Sequence, residues 1–410
     1  MVRSLKVSVV VLLMTALVIL SFGVGYGVAN RTSGDSTATA EFKHPSVSTP
    51  RSEVTQGVPP EFSLLPEVWQ ILKEEFVKQD TLKEPDIGRS TIDGLLKALD
   101  DPHTSYVSPD DFRLERSAFT GNFEGIGAQV TMVEGQLTVI APIAGSPAQA
   151  AGIKAGDIIA AVDGQSLEGI NLSQAISRIR GPKGTSVRLT IIHGGEAKPV
   201  EITVVRDIIK TASVFASLRP DKIAHIGISS FSDSTDTEMR KALKDMKDQG
   251  ATGIVLDLRN NPGGLLDTTV QVASEFLSGG IVLYEEDRDG NRQPAKAKSG
   301  GVAIDIPLVV LVNEGSASGS EVLAGALQDR GRAKLVGVKT FGKGSINHIR
   351  ELSNGGALTV TFARWLTPNQ RQIEGQGLEP DIKVELTKED AQAGRDTQLE
   401  RALQVLKNGA

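Results

Sequence analysis

The chain contains no cysteine among its 410 residues. That excludes disulfides, thiolate metal sites and a cysteine nucleophile together. Histidine is scarce: there are five, at positions 44, 103, 193, 225 and 348, with no pair at metal-ligand spacing and no HExxH. A metal enzyme is therefore not expected, and no cofactor is called for. The net charge of −6 lacks the basic excess that nucleic acid would demand. What remains is an ordinary globular balance, 40% hydrophobic and 23% charged. The length exceeds one ordinary core, so two or more domains are expected.

The N-terminus carries the first positive signal. Arg3 and Lys6 precede an uncharged run over residues 7–30. As a helix, that run reaches about 36 Å at about 1.5 Å per residue, enough to cross a bilayer. It is longer than the apolar core of a cleaved signal peptide, which spans roughly 7–15 residues. The nearest small-x-small site, Ala38-Thr39-Ala40, lies well beyond it. An uncleaved signal anchor is expected. The positive residues hold the N-terminus in the cytoplasm and everything after the span is exported, a single-pass arrangement usual for a bacterium. Residues 31–60, rich in Ser, Thr, Pro and Gly, read as a flexible tether.

Ordered structure should begin near Pro60. Val68, Ile71, Leu72 and Phe76 give a helical face, and a second helix around Ile92, Leu95, Leu96 and Leu99 stops at Asp100-Asp101-Pro102. Over residues 120–206 the pattern becomes short strands with glycine turns. Gly125-Ile126-Gly127-Ala128 opens it, Ser146-Pro147-Ala148 begins a short helix, and Gly156-Asp157-Ile158-Ile159 leads through a strand into Asp163-Gly164. This series resembles a PDZ domain. The resemblance implies that Gly125, Ile126, Gly127 and Ala128 form the loop whose N–H groups hold the terminal carboxylate of an extended peptide added to a sheet edge. Arg178 and Arg180 read as a solvated helix end that could also favour an acidic terminus.

Beyond Asp207, strands alternate with helices: strands at 224–228, 253–258, 307–312 and 333–338, helices at 235–249, 265–277 and 321–327. Leu358, Val360 and Phe362 alternate with polar residues, as on an edge or one-sided strand. Ser318 follows an apolar strand and a glycine-containing turn, at the start of a helix. There, N–H groups and the positive end of the dipole suit an oxyanion. Each such donor is worth about 2.7–4 kcal/mol in a transition state. The Gly319 N–H is one candidate, and Asp257-Leu258-Arg259-Asn260-Asn261-Pro262-Gly263-Gly264 offers a second strand-to-helix turn. A serine needs a base. Lys343, in Phe341-Gly342-Lys343-Gly344 with no acidic neighbour before Glu351, has a setting that permits desolvation and a lowered pKa. Ser316 and Ser320 read as turn-satisfying residues, His348 as a packing residue, and Asp257 and Arg259 as loop-fixing ones.

These segments, together with Leu99-Asp100-Asp101-Pro102-His103-Thr104-Ser105-Tyr106 and Gly375-Gln376-Gly377-Leu378-Glu379-Pro380-Asp381, resemble the carboxy-terminal processing (tail-specific) serine peptidases over about residues 65–406. The resemblance implies Ser318 as nucleophile, Lys343 as general base, and Gly264 and Gly319 as oxyanion donors. Asn347 stands where that family has a glutamine that orients the lysine, one methylene shorter with the amide kept. Gly319 replaces an alanine, which keeps the donor and loosens the turn. The expected organisation is an α/β catalytic core with a mixed sheet and an inserted β-rich PDZ domain. Its parts are an anchor (1–30), a linker (31–60), a helical part (61–119), the PDZ domain (120–206), the peptidase core (207–385) and a C-terminal helix (386–410). The expected partners are protein C-terminal tails and the membrane, with no nucleic acid; a homo-oligomer is left open. Two rivals stand beside this reading. One is a catalytically weak or silent PDZ scaffold that binds protein tails at the membrane. The other is an acyl-CoA enzyme, which the expected export and the PDZ pattern disfavour.

Overall fold

The computed structural model describes residues 59–408 except 110, 113–114, 117–120, 195–197, 388 and 391–392. The expected anchor and nearly all of the linker lie outside the described residues. Among the described residues, no helix is long and apolar enough to cross a membrane.

Two helices lead in, α1 (Leu64–Glu75) and α2 (Glu84–Lys97). The apolar face of α1 forms as its periodicity implies, yet no residue of that helix is buried, and Leu64, Val68 and Ile71 are about half exposed. α2 anchors itself through Leu96. The chain then adds β1 (Ser105–Val107) to a strand far along the sequence, pairing Ser105 with Thr359.

The β-rich module stands on a two-stranded stalk. β2 (Asn122–Gly125) and β9 (Asp207–Lys210) pair antiparallel, Asn122 opposite Lys210, so the chain enters and leaves side by side. Between them lie β3 (Ala128–Val133), β4 (Gln136–Pro142), α3 (Pro147–Ala150), β5 (Ile158–Val162), β6 (Gln165–Ser166), α4 (Leu172–Ile179), β7 (Ser186–Ile192) and β8 (Val200–Val205). The sheet order is β3-β4-β5-β7-β8. In β7 the alternation places Val187, Leu189 and Ile191 in the core, against Ala175 and Ile179 of α4. α4 is started by a reciprocal cap in which the Asn171 side chain accepts the Gln174 N–H and the Gln174 side chain accepts the Asn171 N–H. This core is separate from that of the rest of the molecule.

The larger part holds β10 (Val214–Leu218), β11 (Ile223–Ile228), α5 (Thr235–Asp248), β12 (Gly253–Asp257), α6 (Leu266–Phe276), β13 (Ile281–Asp287), β14 (Arg292–Lys296), β15 (Leu308–Val312), α7 (Gly319–Asp329), β16 (Lys334–Gly337), β17 (Ser345–Glu351), β18 (Ala357–Leu366), β19 (Ile382–Lys383) and α8 (Thr397–Lys407). A six-stranded sheet runs β10-β11-β12-β15-β16-β19, with β10 antiparallel and the rest parallel. β15 is apolar at every position because both its faces are covered. Val310 and Val312 face the core that includes Val272, Leu323 and Leu327, while Val309 and Leu311 face Ala402 and Leu403 of α8. Burying one such side chain contributes roughly 1.5–3 kcal/mol.

A second sheet joins β1, β18, β13 and β14, with β17 also on β18. The alternation of Leu358, Val360 and Phe362 points to an edge or one-sided strand, and the structure corrects this in part. β18 is central, with β17 along one side and β1 and β13 along the other. Its buried residues are Ala357, Thr359, Ala363, Trp365 and Leu366, so along most of its length the buried face is the one opposite to that expected. The strand is thus one-sided as expected but not an edge, and alternation alone cannot tell which face meets a neighbour.

Candidate active site

The loops that follow β12 and β15 leave the same end of the parallel sheet, where open α/β sheets place their ligands. They are stitched together. Asn313 Oδ1 accepts the Asn260 and Gly315 N–H groups at 2.8 and 3.0 Å. Ser316 Oγ donates to the Leu258 carbonyl at 2.8 Å, and Ser320 Oγ to the Asn261 carbonyl at 2.9 Å. Both serines are therefore turn residues, as read from the sequence. Asn261 also accepts the Ala317 N–H and donates its Nδ2 to the Ile228 carbonyl.

Within this frame Ser318 adopts φ 52° and ψ −116°, a conformation that costs a non-glycine residue about 1–3 kcal/mol. Next to it, space is minimal. A Cβ on Gly263 would lie 2.8 Å from both Ser318 Cβ and the Gly319 nitrogen, so the glycine is what lets the two loops touch. Gly264 has φ +148°, and a Cβ there would meet the Phe231 carbonyl oxygen at 2.1 Å. Among the described residues, no backbone acceptor takes the N–H of Gly264 or of Gly319. The packing gives a further reason for glycine at position 319. An alanine methyl there would sit 2.7 Å from Thr269 Oγ1, whose hydroxyl is committed to the Leu265 carbonyl. The glycine fits a space that this chain has already filled.

Lys343 is 2% exposed. Burial pushes its ammonium down to about 8, against the pull of Glu374, Glu115 and Glu321. The sequence neighbourhood misled here in two respects. Phe341 is 60% exposed and does not shield the lysine. The acidic residues absent from the local sequence arrive from three distant segments.

Glu321 joins the serine to the lysine. Its Oε2 accepts the Ser318 N–H at 2.9 Å and the Lys343 N–H at 2.8 Å. Its Oε1 accepts the Gly342 N–H at 2.7 Å and the Thr340 hydroxyl at 2.6 Å. Burial raises this carboxyl above its usual value despite those four donors. Glu321 was not singled out from the sequence, although a glutamate three residues after a helix-opening serine is a capping signature that marks it.

On the other side of the lysine, Glu374 Oε2 accepts the Gly344 N–H at 2.8 Å, and its Oε1 accepts from His103 Nε2 at 3.0 Å. Asn347 is buried, with Nδ2 donating to the His103 carbonyl at 2.7 Å and Oδ1 receiving no hydrogen bond from the described residues. The Leu99–Tyr106 motif thus reaches the lysine loop through His103. His348 stacks on Phe362, centroids 3.4 Å apart, in the packing role read from the sequence. Arg259 bridges Asp257 on its own loop and Asp396 at the start of α8. His225 also bonds Asp257. Burial alone would raise the Asp257 carboxyl, but the His225 and Arg259 hydrogen bonds outweigh it and hold it at about 2.

In the β-rich module, Gly125 to Ala128 join β2 to β3, and Gly127 has φ +75° with a Cβ there lying 2.4 Å from Ser146 Cβ, so both backbone and space call for glycine. Arg178 is exposed, as expected for a helix end, with one bond to the Ser166 carbonyl. Arg180 is instead half-buried and stacks on the Phe123 ring at 4.4 Å.

Residues 222–384 match the family model for peptidase family S41, and residues 117–192 match the PDZ domain. The carboxyl-terminal-processing protease of Synechocystis sp. is 40% identical over 83% of this chain and 82% of its own length. The chain belongs to the carboxyl-terminal-processing proteases. The carboxy-terminal processing protease CtpA of Bacillus subtilis is 36% identical to this protease over 77% of this chain and 67% of its own length. Among solved structures, the photosystem II D1 C-terminal processing protease is 29% identical over 85% of this chain and 98% of that one, with a TM-score of 0.48. The protease is thus a C-terminal-processing serine peptidase with a PDZ domain inserted before its S41 part.

Proposed function

We propose that the protease cleaves exported proteins near their C-termini with a Ser318–Lys343 dyad. The carrying observation is that one buried carboxylate, Glu321, accepts the N–H of both residues, so the nucleophile turn and the buried lysine are fixed in one place. Neutral Lys343 takes the Ser318 proton as Oγ attacks the peptide carbonyl, and the Gly264 and Gly319 N–H groups receive the oxyanion. Lys343 returns the proton to the leaving amine, and water then releases the acyl-enzyme. Asn347, clamped by His103, offers its buried Oδ1 as an acceptor for the lysine while it carries the proton. The PDZ domain captures an apolar tail on the Gly125, Ile126, Gly127 and Ala128 loop. The apolar run over residues 7–30 anchors the protease with its catalytic part outside the cytoplasm.

The test is hydrolysis of an unfolded protein by the wild type, Ser318→Ala and Lys343→Ala. Loss of about 10³-fold or more in kcat is expected for each variant, with the fold retained by circular dichroism. A lysine variant that keeps wild-type kcat overturns the dyad.

A further inference from the structure

Lys343 sits in a loop gripped from two sides. Glu321 holds the Gly342 and Lys343 N–H groups, and Glu374 holds the Gly344 N–H. The second grip has its own support. His103 Nε2 donates to Glu374 Oε1, so the histidine carries its hydrogen on that nitrogen, and the His103 carbonyl holds Asn347. His103 is itself fixed, its N–H donating to Asp101 Oδ1 at 3.0 Å. The mechanism proposed above does not use Glu374, and it uses His103 only through the backbone carbonyl that holds Asn347. We propose that Glu374, braced by His103, is a positioning residue for Lys343, holding its loop and supplying a negative charge against which the lysine gives up its proton.

This inference rests on the reading of Lys343 as the base. The charged groups acting on Lys343 are Glu374, Glu115 and Glu321, and all three favour its ammonium form. Besides Lys343 itself, His103 and Asp101 act on Glu374. Burial alone would raise the Glu374 carboxyl, but the His103 bond and charge and the Gly344 N–H outweigh it, so this side chain is ionised when the lysine titrates. Glu115 is different. Burial and Asp111 raise its carboxyl to about 7, so its charge is incomplete at neutral pH. Glu374, foremost among the charges that favour the ammonium and itself held below its usual value, keeps its charge throughout the range in which Lys343 becomes neutral.

The sign follows. Replacing Glu374 by an isosteric neutral amide removes an influence that favours the ammonium, while its carbonyl can still accept the Gly344 N–H. Lys343 should then lose its proton at lower pH. With the full chain in detergent and an unfolded protein carrying an apolar tail, Glu374→Gln should shift the acid limb of the kcat/KM profile down by about one pH unit. It should raise kcat/KM about threefold to tenfold near pH 6. His103→Ala removes the brace and leaves the charge, so it should lower kcat with little change in KM and no shift of the limb to lower pH. Circular dichroism melts confirm that both variants fold. A Glu374→Gln profile that superimposes on wild type, or moves to higher pH, overturns the proposal. Lys343→Ala, measured alongside, separates the two readings. If it is inactive while Glu374→Gln shows no shift, only the positioning role fails; if it is active, the base assignment fails and this proposal with it.

Discussion

Single residues in this protease are constrained by contacts made far along the chain. Gly319 shows it plainly. Its N–H is the proposed oxyanion donor, and its missing side chain is required by Thr269 Oγ1, 2.7 Å from where a methyl would go. Gly319→Ala should therefore lower kcat on the order of 10–10²-fold by displacing the donor, with an overpacking cost of about 1–3 kcal/mol in stability. Thr269→Ala in the same chain should restore most of both. Urea melts and single-turnover rates on the double variant check this, and a double variant no better than Gly319→Ala alone would place the defect elsewhere. The turns that carry Ser318, Lys343 and the paired glycines were legible because strand-to-helix turns and glycine-flanked positions are local patterns, whereas the roles proposed for them come from the family resemblance. Glu374, Glu115 and His103 were not, because their effect on Lys343 arises through space.

At the scale of elements, the loop that follows β12 is tied to the C-terminal helix. Arg259 NH1 and NH2 donate to Asp396 Oδ1 and Oδ2 at 2.9 and 2.8 Å, and the same Asp396 accepts the Leu399 N–H at the start of α8. α8 in turn covers Val255, Val309 and Leu311 of the strands that carry the two site loops. Asp396→Ala removes a helix cap and one side of a partly buried ion pair. It should lower stability by about 2–4 kcal/mol in urea unfolding, and kcat with it. Asp396→Asn keeps the cap and should lose about half as much. Equal losses in the two variants would show that the cap contributes nothing beyond the charge, and an Asp396→Asn variant as stable as wild type would show that the charge contributes nothing. The alternating pattern of β18 named a strand correctly and its surroundings wrongly, because the partners on its two sides, β17 on one and β1 and β13 on the other, are set by tertiary pairing.

At the scale of the whole molecule, the PDZ domain is an insertion on a two-stranded stalk with a core of its own. A fragment covering residues 121–211 should unfold cooperatively without the rest of the chain, since its buried cluster closes on itself. It should bind an apolar peptide through the free C-terminus, and amidation of that terminus should weaken binding by about 10- to 100-fold, the worth of hydrogen bonds to a charged group. Isothermal titration of the free and amidated peptides decides it, and equal affinities would remove the carboxylate loop from the recognition.

The order of the domains, the strand-turn-helix placement of Ser318 and the glycines around Lys343 follow from sequence alone, because hydrophobic period and turn chemistry act over a few residues. The apolar run at positions 7–30 is a sequence property of the same kind. Tertiary structure decided what surrounds Lys343. Glu321, Glu374 and Glu115 reach Lys343 from three separate segments, Phe341 leaves it for solvent, and Thr269 fills the place of an alanine methyl at Gly319. Electrostatic influence and packing depend on distance in space, and the chain's order does not encode that distance locally. The turn that carries Ser318 could thus be read from its neighbours, while the lowered proton affinity of Lys343 emerges only once the fold has closed.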